Sequence, residues 1–320
     1  MMRPMSRTHL THETVLRRAA PFGLLLAAVI WGFSFVVVKN SLDLIPPIYM
    51  MAFRFTVAAG ALALVFVRRL RGLSRSVLGS GLVLGVLLFI SYALQTIGCQ
   101  YTTAGKNAFL TAVYVVIVPF LHWLVNRKRT GAFHVAAAFI AIAGIGLLSL
   151  RGDLTVSIGD LLTLLCGVGF AAHIVFIDRY TERHDPVVLT VLQLAVAAVL
   201  SWLLAPVMDG GFPAAAFEPN IVVGMLYLGL LSTMLAFLLQ NVCQKHTAPS
   251  TAAIFLSMES VSGVLFAAIF LQERLSPRMA AGCVLIFFAI LLAETRFEFI
   301  TGFIKRRQAR RTAAEAEASD

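Results

Sequence analysis

Charge is scarce in this sequence. Only 13% of its 320 residues are Asp, Glu, Lys or Arg, and only 16 residues are acidic. Soluble domains carry about 25% charged residues. With 59% hydrophobic residues, the chain has more apolar surface than a core of this size can hide. The deficit excludes a soluble globular protein and leaves a bilayer as solvent. Cysteine is sparse too. Cys99, Cys166, Cys243 and Cys283 form no CxxC pair and lie in or beside apolar runs. That excludes a disulfide framework and a zinc site, and leaves buried small hydrophobes. There is no HExxH stretch and no Walker A loop, so neither a zinc protease nor direct use of ATP is expected. "SIGD" at Ser157–Asp160 lacks the leading glycine of a GxGD aspartyl protease element, and "SVSG" at Ser260–Gly263 has no evident histidine partner. The loops are too short for a soluble catalytic domain, and no filter loop suggests a channel. The sequence therefore calls for no enzyme, cofactor or metal; an intramembrane enzyme or channel-like protein remains the alternative.

What the chain does have is ten apolar runs, at about 22–38, 46–67, 77–98, 106–125, 132–150, 158–178, 186–206, 220–240, 249–271 and 277–294. Each approaches the ~20 residues a helix needs to cross ~30 Å of hydrocarbon. They are too long, and alternate too little, for barrel strands. The first run is longer than a signal-peptide core and no A-x-A site follows it, so an uncleaved span is expected.

The net charge of +10 is topological and does not point to nucleic acid. With the N-terminus inside, twenty of the 26 Lys and Arg fall in cytoplasmic segments, five outside and one, Arg54, within a span. This bias predicts cytoplasmic termini and an even number of spans. The basic part of "FIKRRQARRTAAEAEASD" is expected to lie against anionic lipid headgroups.

A hexapeptide occurs twice, as "CQYTTA" at Cys99–Ala104 and "CQKHTA" at Cys243–Ala248, 144 residues apart. At the same offset Leu82, Leu84, Gly85, Leu87, Leu94 and Ala108 match Leu226, Leu228, Gly229, Leu231, Leu238 and Ala252. The fold class expected is an all-α polytopic membrane protein: ten transmembrane helices as two inverted five-helix repeats. The organisation is a tail at 1–20, repeats at 21–150 and 157–296, and a second tail at 297–320. Five spans per half invert the second copy, which is the architecture of alternating access around a shared midplane site.

Several motifs then carry a resemblance. "IWGFSF" at Ile30–Phe35, "FRF" around Arg54, "TAGKNAFL" at Thr103–Leu110, Pro119, and "LQERLSP" at Leu271–Pro277 occur in order on the two-half frame. In this the chain resembles the drug/metabolite transporter superfamily, EamA-type branch, over about 22–294. The resemblance implies a secondary transporter of the inner membrane that moves a small solute such as an amino acid, often outward. Departures are Gln272 where glycine is usual, "GVGFAAH" in span 6 without the usual tryptophan, and no acidic residue in span 1. The last means that the proton coupling of the small four-span members does not carry over. A monomer suffices and a homodimer is equally open.

Polar groups within the spans are the candidate site. Arg54 in mid-membrane needs a partner: either a substrate carboxylate or phosphate, or a structural bed of carbonyls or an acid. Glu259, at the centre of span 9, shares a face with Ala252, Leu256, Ser262 and Gly263. It is a candidate for proton loading, for contact with a substrate amine, or for a structural pair. His173 in span 6 is the second proton candidate, and His122 in span 4 a weaker one. Trp31, Ser34, Tyr92, Gln95, Asn107, Tyr114, Gln240 and Ser257 are expected to line the cavity of a small polar solute with some apolar character. Gly81 and Gly85 predict close helix contact, Pro119 a kink in span 4, and Glu273 with Arg274 a structural cap or salt-bridge network.

Overall fold

The computed structural model describes residues 7–127, 132–149, 157–274 and 276–295, and every regular element among them is helical. In chain order these are α1 (Arg7–Ser41), α2 (Pro47–Val65), α3 (Arg75–Gln100), α4 in two segments (Ala104–Thr111 and Tyr114–Asn126), α5 (Ala132–Ser149) and α6 (Ile158–Thr181). They continue with α7 (Pro186–Met208), α8 (Pro219–Gln244), α9 in two segments (Pro249–Leu256 and Met258–Phe270) and α10 (Pro277–Thr295).

Eight helices among the described residues are long and apolar enough to cross a membrane. In α5 and α10 the apolar stretches are shorter, Val135–Gly144 and Pro277–Ala289. Part of the expected N-terminal tail is helical, because α1 already begins at Arg7. The basic and acidic tail at 297–320 lies outside the described residues.

The helix starts follow local chemistry. Ser74, Thr103, Ser157 and Asp185 each accept a bond from a first-turn N–H, which satisfies donors that a helix cannot pair internally. Pro47, Pro186, Pro219 and Pro249 occupy the first turn, where a missing N–H costs nothing. In each of the eight spans 44–56% of the best window is buried, so every span faces both the bundle and its surroundings.

Packing is between neighbours in space, not in sequence. α3 lies against α6 and α7, α8 against α1 and α2, α4 against α6 and α9, α2 against α7, and α5 against α10. The small-residue expectation for α3 holds. A Cβ on Gly85 would stand 2.5 Å from Val196 Cβ and 2.8 Å from the Gln193 carbonyl, so only glycine lets α3 and α7 approach this closely.

Two helices are interrupted at matching places. In α4 the bonding shortens to i→i−3 over Ala112–Val116, with Ala112 N–H bonded to Phe109 O, Val113 to Leu110 O, Val115 to Ala112 O and Val116 to Val113 O. In α9 the same shortening appears as Ser260 N–H to Ser257 O, while the Ser257 and Ser260 hydroxyls donate to Ile254 O and Ser257 O. Such hydroxyl competition with the helix ladder bends helices. The interruption of α4 lies at Ala112–Val113, ahead of Pro119, which sits inside the second segment. α8 is irregular in another way, being a π-helix over Tyr227–Leu235.

Candidate functional site

The interruptions in α4 and α9 place Tyr114 and Glu259 at the starts of their second segments. Both reach one central cavity. α1 contributes Trp31, Ser34 and Phe35; α3 contributes Tyr92 and Gln95; α6 contributes Phe170 and Ile174; α8 contributes Phe237 and Gln240; α9 adds Leu256 beside Glu259. The side chains leave about 400 Å³ of empty space, of which the centre of a water-sized sphere can occupy about 30 Å³. This conformation of the cavity is constricted.

Seven of the eleven candidate residues meet here: Trp31, Ser34, Tyr92, Gln95, Tyr114, Gln240 and Glu259. The other four stand behind the wall. Arg54 is 2% exposed; its Nε donates to Thr233 Oγ1 at 2.9 Å and its Nη2 to Ser232 Oγ at 3.0 Å. Its guanidinium lies 4.6 Å from the Tyr92 ring centroid, and no carboxylate among the described residues pairs with it. Hydroxyls and an aromatic face therefore hold this cation, a third solution beside the substrate anion and the structural acid weighed from the sequence. Asn107 braces α4 to α3 and α6, donating to Gln95 O at 3.1 Å and Thr163 Oγ1 at 2.9 Å. His173 pairs with Gln193 Oε1 at 2.7 Å and stands edge-on to Phe237. Ser257 donates to Ile254 O at 2.7 Å. His122 faces Asp178 at 3.7 Å.

The π-helix of α8 serves this arrangement. Trp31 Nε1 donates to Ser232 O at 2.7 Å and the Tyr227 hydroxyl to Ile30 O at 2.8 Å. The same turn supplies both hydroxyls that hold Arg54. π-turns recur at functional sites because they free backbone carbonyls for such partners.

Among the described residues lining the cavity, Glu259 is the one acidic or basic side chain, and it is 5% exposed. The Tyr114 hydroxyl is its electrostatic neighbour. Gln240 Oε1 is buried without a hydrogen-bond partner among the described residues. Missed from the sequence were the apolar walls Phe35, Phe170, Ile174 and Phe237, since among 24 phenylalanines nothing local distinguishes cavity from lipid; Leu256 was placed from the sequence on the face of Glu259.

One end of the bundle is tied shut around the first hexapeptide. Lys39 Nζ donates to Cys99 O and Thr102 O, both at 2.8 Å. The fully buried Asp160 carboxylate accepts from Thr102 Oγ1 at 2.7 Å and pairs with Lys106 Nζ at 3.3 Å. Glu273 accepts from the Ala104 N–H at 2.9 Å and the Gly105 N–H at 3.1 Å. α1, α6 and the loop after α9 thus each send a charged group to residues 99–106.

Comparison with known proteins decides the family. The EamA-like transporter family model matches residues 19–150 and again 157–295. The chain belongs to the EamA-like transporter family. A protein of Archaeoglobus fulgidus named "Uncharacterized transporter" is 34% identical over 286 residues, 89% of this chain and 88% of that protein. A Salmonella typhimurium relative named "Probable amino-acid metabolite efflux pump" is 26% identical over 308 residues, 92% of this chain and 99% of its own length. A solved crystal structure shares the fold with a TM-score of 0.69 at 18% identity, over 86% of this chain and 96% of that one. This EamA-like transporter is a multi-pass protein of the inner membrane, with a small-molecule solute and membrane lipids as its partners.

Proposed function

We propose that the protein is a secondary active transporter that exports a small polar metabolite, an amino acid or related compound, by alternating access between inverted halves at 21–150 and 157–296. The observation that carries this is the cavity where interrupted α4 crosses interrupted α9, lined by side chains from both halves. Discontinuous helices at a midplane site are how transporter folds present helix ends to a solute.

Exchanging helix n for n+5 turns the α3–α6 contact into α8–α1, α3–α7 into α8–α2, and α4–α6 into α9–α1, and all of these contacts occur. That supports ten spans in two inverted halves. The positive-inside bias supports cytoplasmic termini, which makes the end tied at 99–106 the outer one and the present conformation outwardly closed. The efflux-pump relative supports export of an amino-acid metabolite. Glu259 on the cavity wall is the group proposed to exchange protons; His173 is shielded by Phe237 and plays a structural part. One chain contains both halves, so a monomer suffices.

The test is untargeted mass spectrometry of spent medium from bacteria carrying the intact protein, Glu259→Gln, or an empty vector. A metabolite enriched by the intact protein alone supports export and names the cargo. Equal enrichment by Glu259→Gln removes that residue from the mechanism, and three identical media overturn export.

A further inference from the structure

The transporter reading leaves open which part of the solute is recognised, and the cavity's chemistry answers that. Its one charged group is the Glu259 carboxylate. Around it stand Trp31, Tyr92, Phe170 and Phe237, joined ring to ring. Trp31–Phe237 centroids are 5.1 Å apart, Tyr92–Phe237 5.9 Å and Tyr92–Phe170 5.4 Å. Aromatic faces attract organic cations, and a carboxylate pairs with an ammonium through charge-assisted hydrogen bonds.

No cationic group among the described residues stands on this wall to pair with an anion. Arg54 is sealed behind Tyr92, with both its hydrogen bonds on hydroxyls of α8. The Trp31 indole N–H is spent on Ser232 O, and the Ser34 hydroxyl on Trp31 O. The Gln95 amide donates to Thr111. Two polar groups here suit an incoming donor: Gln240 Oε1, which is buried without a hydrogen-bond partner among the described residues, and the Tyr114 hydroxyl, which stands against Glu259 and can still accept.

We infer that the cavity selects its solute by a protonated amine, held at Glu259 beside Tyr114 and Gln240 with the apolar body against the aromatic wall, and that a carboxylate on the solute is dispensable. This rests on the transporter reading and names its substrate class: primary amines and amine-bearing amino-acid derivatives.

A four-membered series tests it: leucine, leucine methyl ester, isoamylamine and 4-methylvalerate share one body and differ in amine and carboxylate. Binding is read from Trp31 fluorescence in full-length protein carrying Trp123→Phe and Trp202→Phe, in lipid nanodiscs. Isoamylamine and the ester are expected to bind saturably and at least as tightly as leucine, and 4-methylvalerate at least tenfold more weakly. Glu259→Gln should weaken the amines at least tenfold, and Glu259→Asp should retain part of the affinity, which separates lost charge from a lost fold. Equal binding of 4-methylvalerate, or unchanged amine affinity in Glu259→Gln, overturns the inference. Failure of all four to bind while the export experiment names a cargo also overturns it and leaves the transporter reading standing. Amine binding with no export of any solute sustains it and overturns that reading.

Discussion

The two copies of the hexapeptide begin with the same cysteine and glutamine and end with the same threonine and alanine, yet their surroundings differ. Around Cys99–Ala104, two helices and the loop after α9 deliver Lys39, Asp160 and Glu273, and Cys99 is 1% exposed. Around Cys243–Ala248 a broad groove opens, lined in part by Arg69, Glu182, Asp185, Lys245 and His246, and Cys243 is half-buried. The ion pair nearest that groove, Arg69–Asp185 at 3.0 Å, has side chains 52% and 40% exposed. A repeated sequence therefore builds one tied end and one open end. The difference lies in residues outside the repeat: Asp160 is fully buried beside the first copy, whereas Arg69 and Asp185 beside the second are exposed.

Four experiments bear on this contrast. The largest effect is expected from Glu273→Ala, which strips the Ala104 and Gly105 N–H groups of their carboxylate. Hydrogen bonds to charged groups contribute about 1.5–3 kcal/mol, so the thermal midpoint of the purified protein should fall and Cys99 should become reactive. An unshifted midpoint with a silent Cys99 would show that Glu273 ties nothing.

Gly159→Ala comes next. Its Cβ would stand 2.7 Å from the Gly98 carbonyl oxygen and 2.8 Å from the Tyr101 carbonyl carbon, backbone that cannot turn aside. Overpacking costs about 1–3 kcal/mol. Gly23→Ala at the open end is the counterpart: its Cβ meets the Cys243 Sγ, a side chain free to rotate, so its cost should be smaller. Equal midpoints for the two variants would refute the contrast between rigid and yielding neighbours.

Maleimide labelling of single-cysteine proteins reads the two ends directly. Cys243 should react several-fold faster than Cys99 in the unmodified background, and Lys39→Met should narrow the gap by freeing Cys99 O and Thr102 O. Cys99 reacting as fast as Cys243 from the start would mean that the first end is not closed. The smallest effect belongs to Arg69→Ala. An exposed ion pair is worth about 0–1 kcal/mol, so the midpoint should hardly move; a large drop would place the open end under the same electrostatic control as the tied one.

Much of the frame was legible in the sequence. The apolar runs announced the eight crossing helices, because a backbone in hydrocarbon has little choice but to pair with itself. Arg54 and Glu259 stood out because charge is rare there. The aromatic wall was not legible, since a phenylalanine facing lipid and one facing a cavity obey the same local rules. Neither was the role of α8. The π-turn at Tyr227–Leu235 is written in an apolar stretch, "YLGLLSTML", whose distinguishing feature is the set of distant groups it meets: Trp31, Ile30 and Arg54.

By itself the sequence determined that this chain is helical, belongs in a bilayer and repeats its own pattern, since these follow from composition, run length and spacing. Only the tertiary structure decided which polar groups share a cavity, that Arg54 is sealed behind Tyr92 while Glu259 is not, and that three charged groups converge on one copy of the hexapeptide while the other borders an open groove. Those outcomes depend on contacts between residues far apart in sequence, as in Trp31 to Ser232, 201 positions apart. No local pattern carries that information, because the energy of a buried polar group is set by whichever partner the fold brings to it.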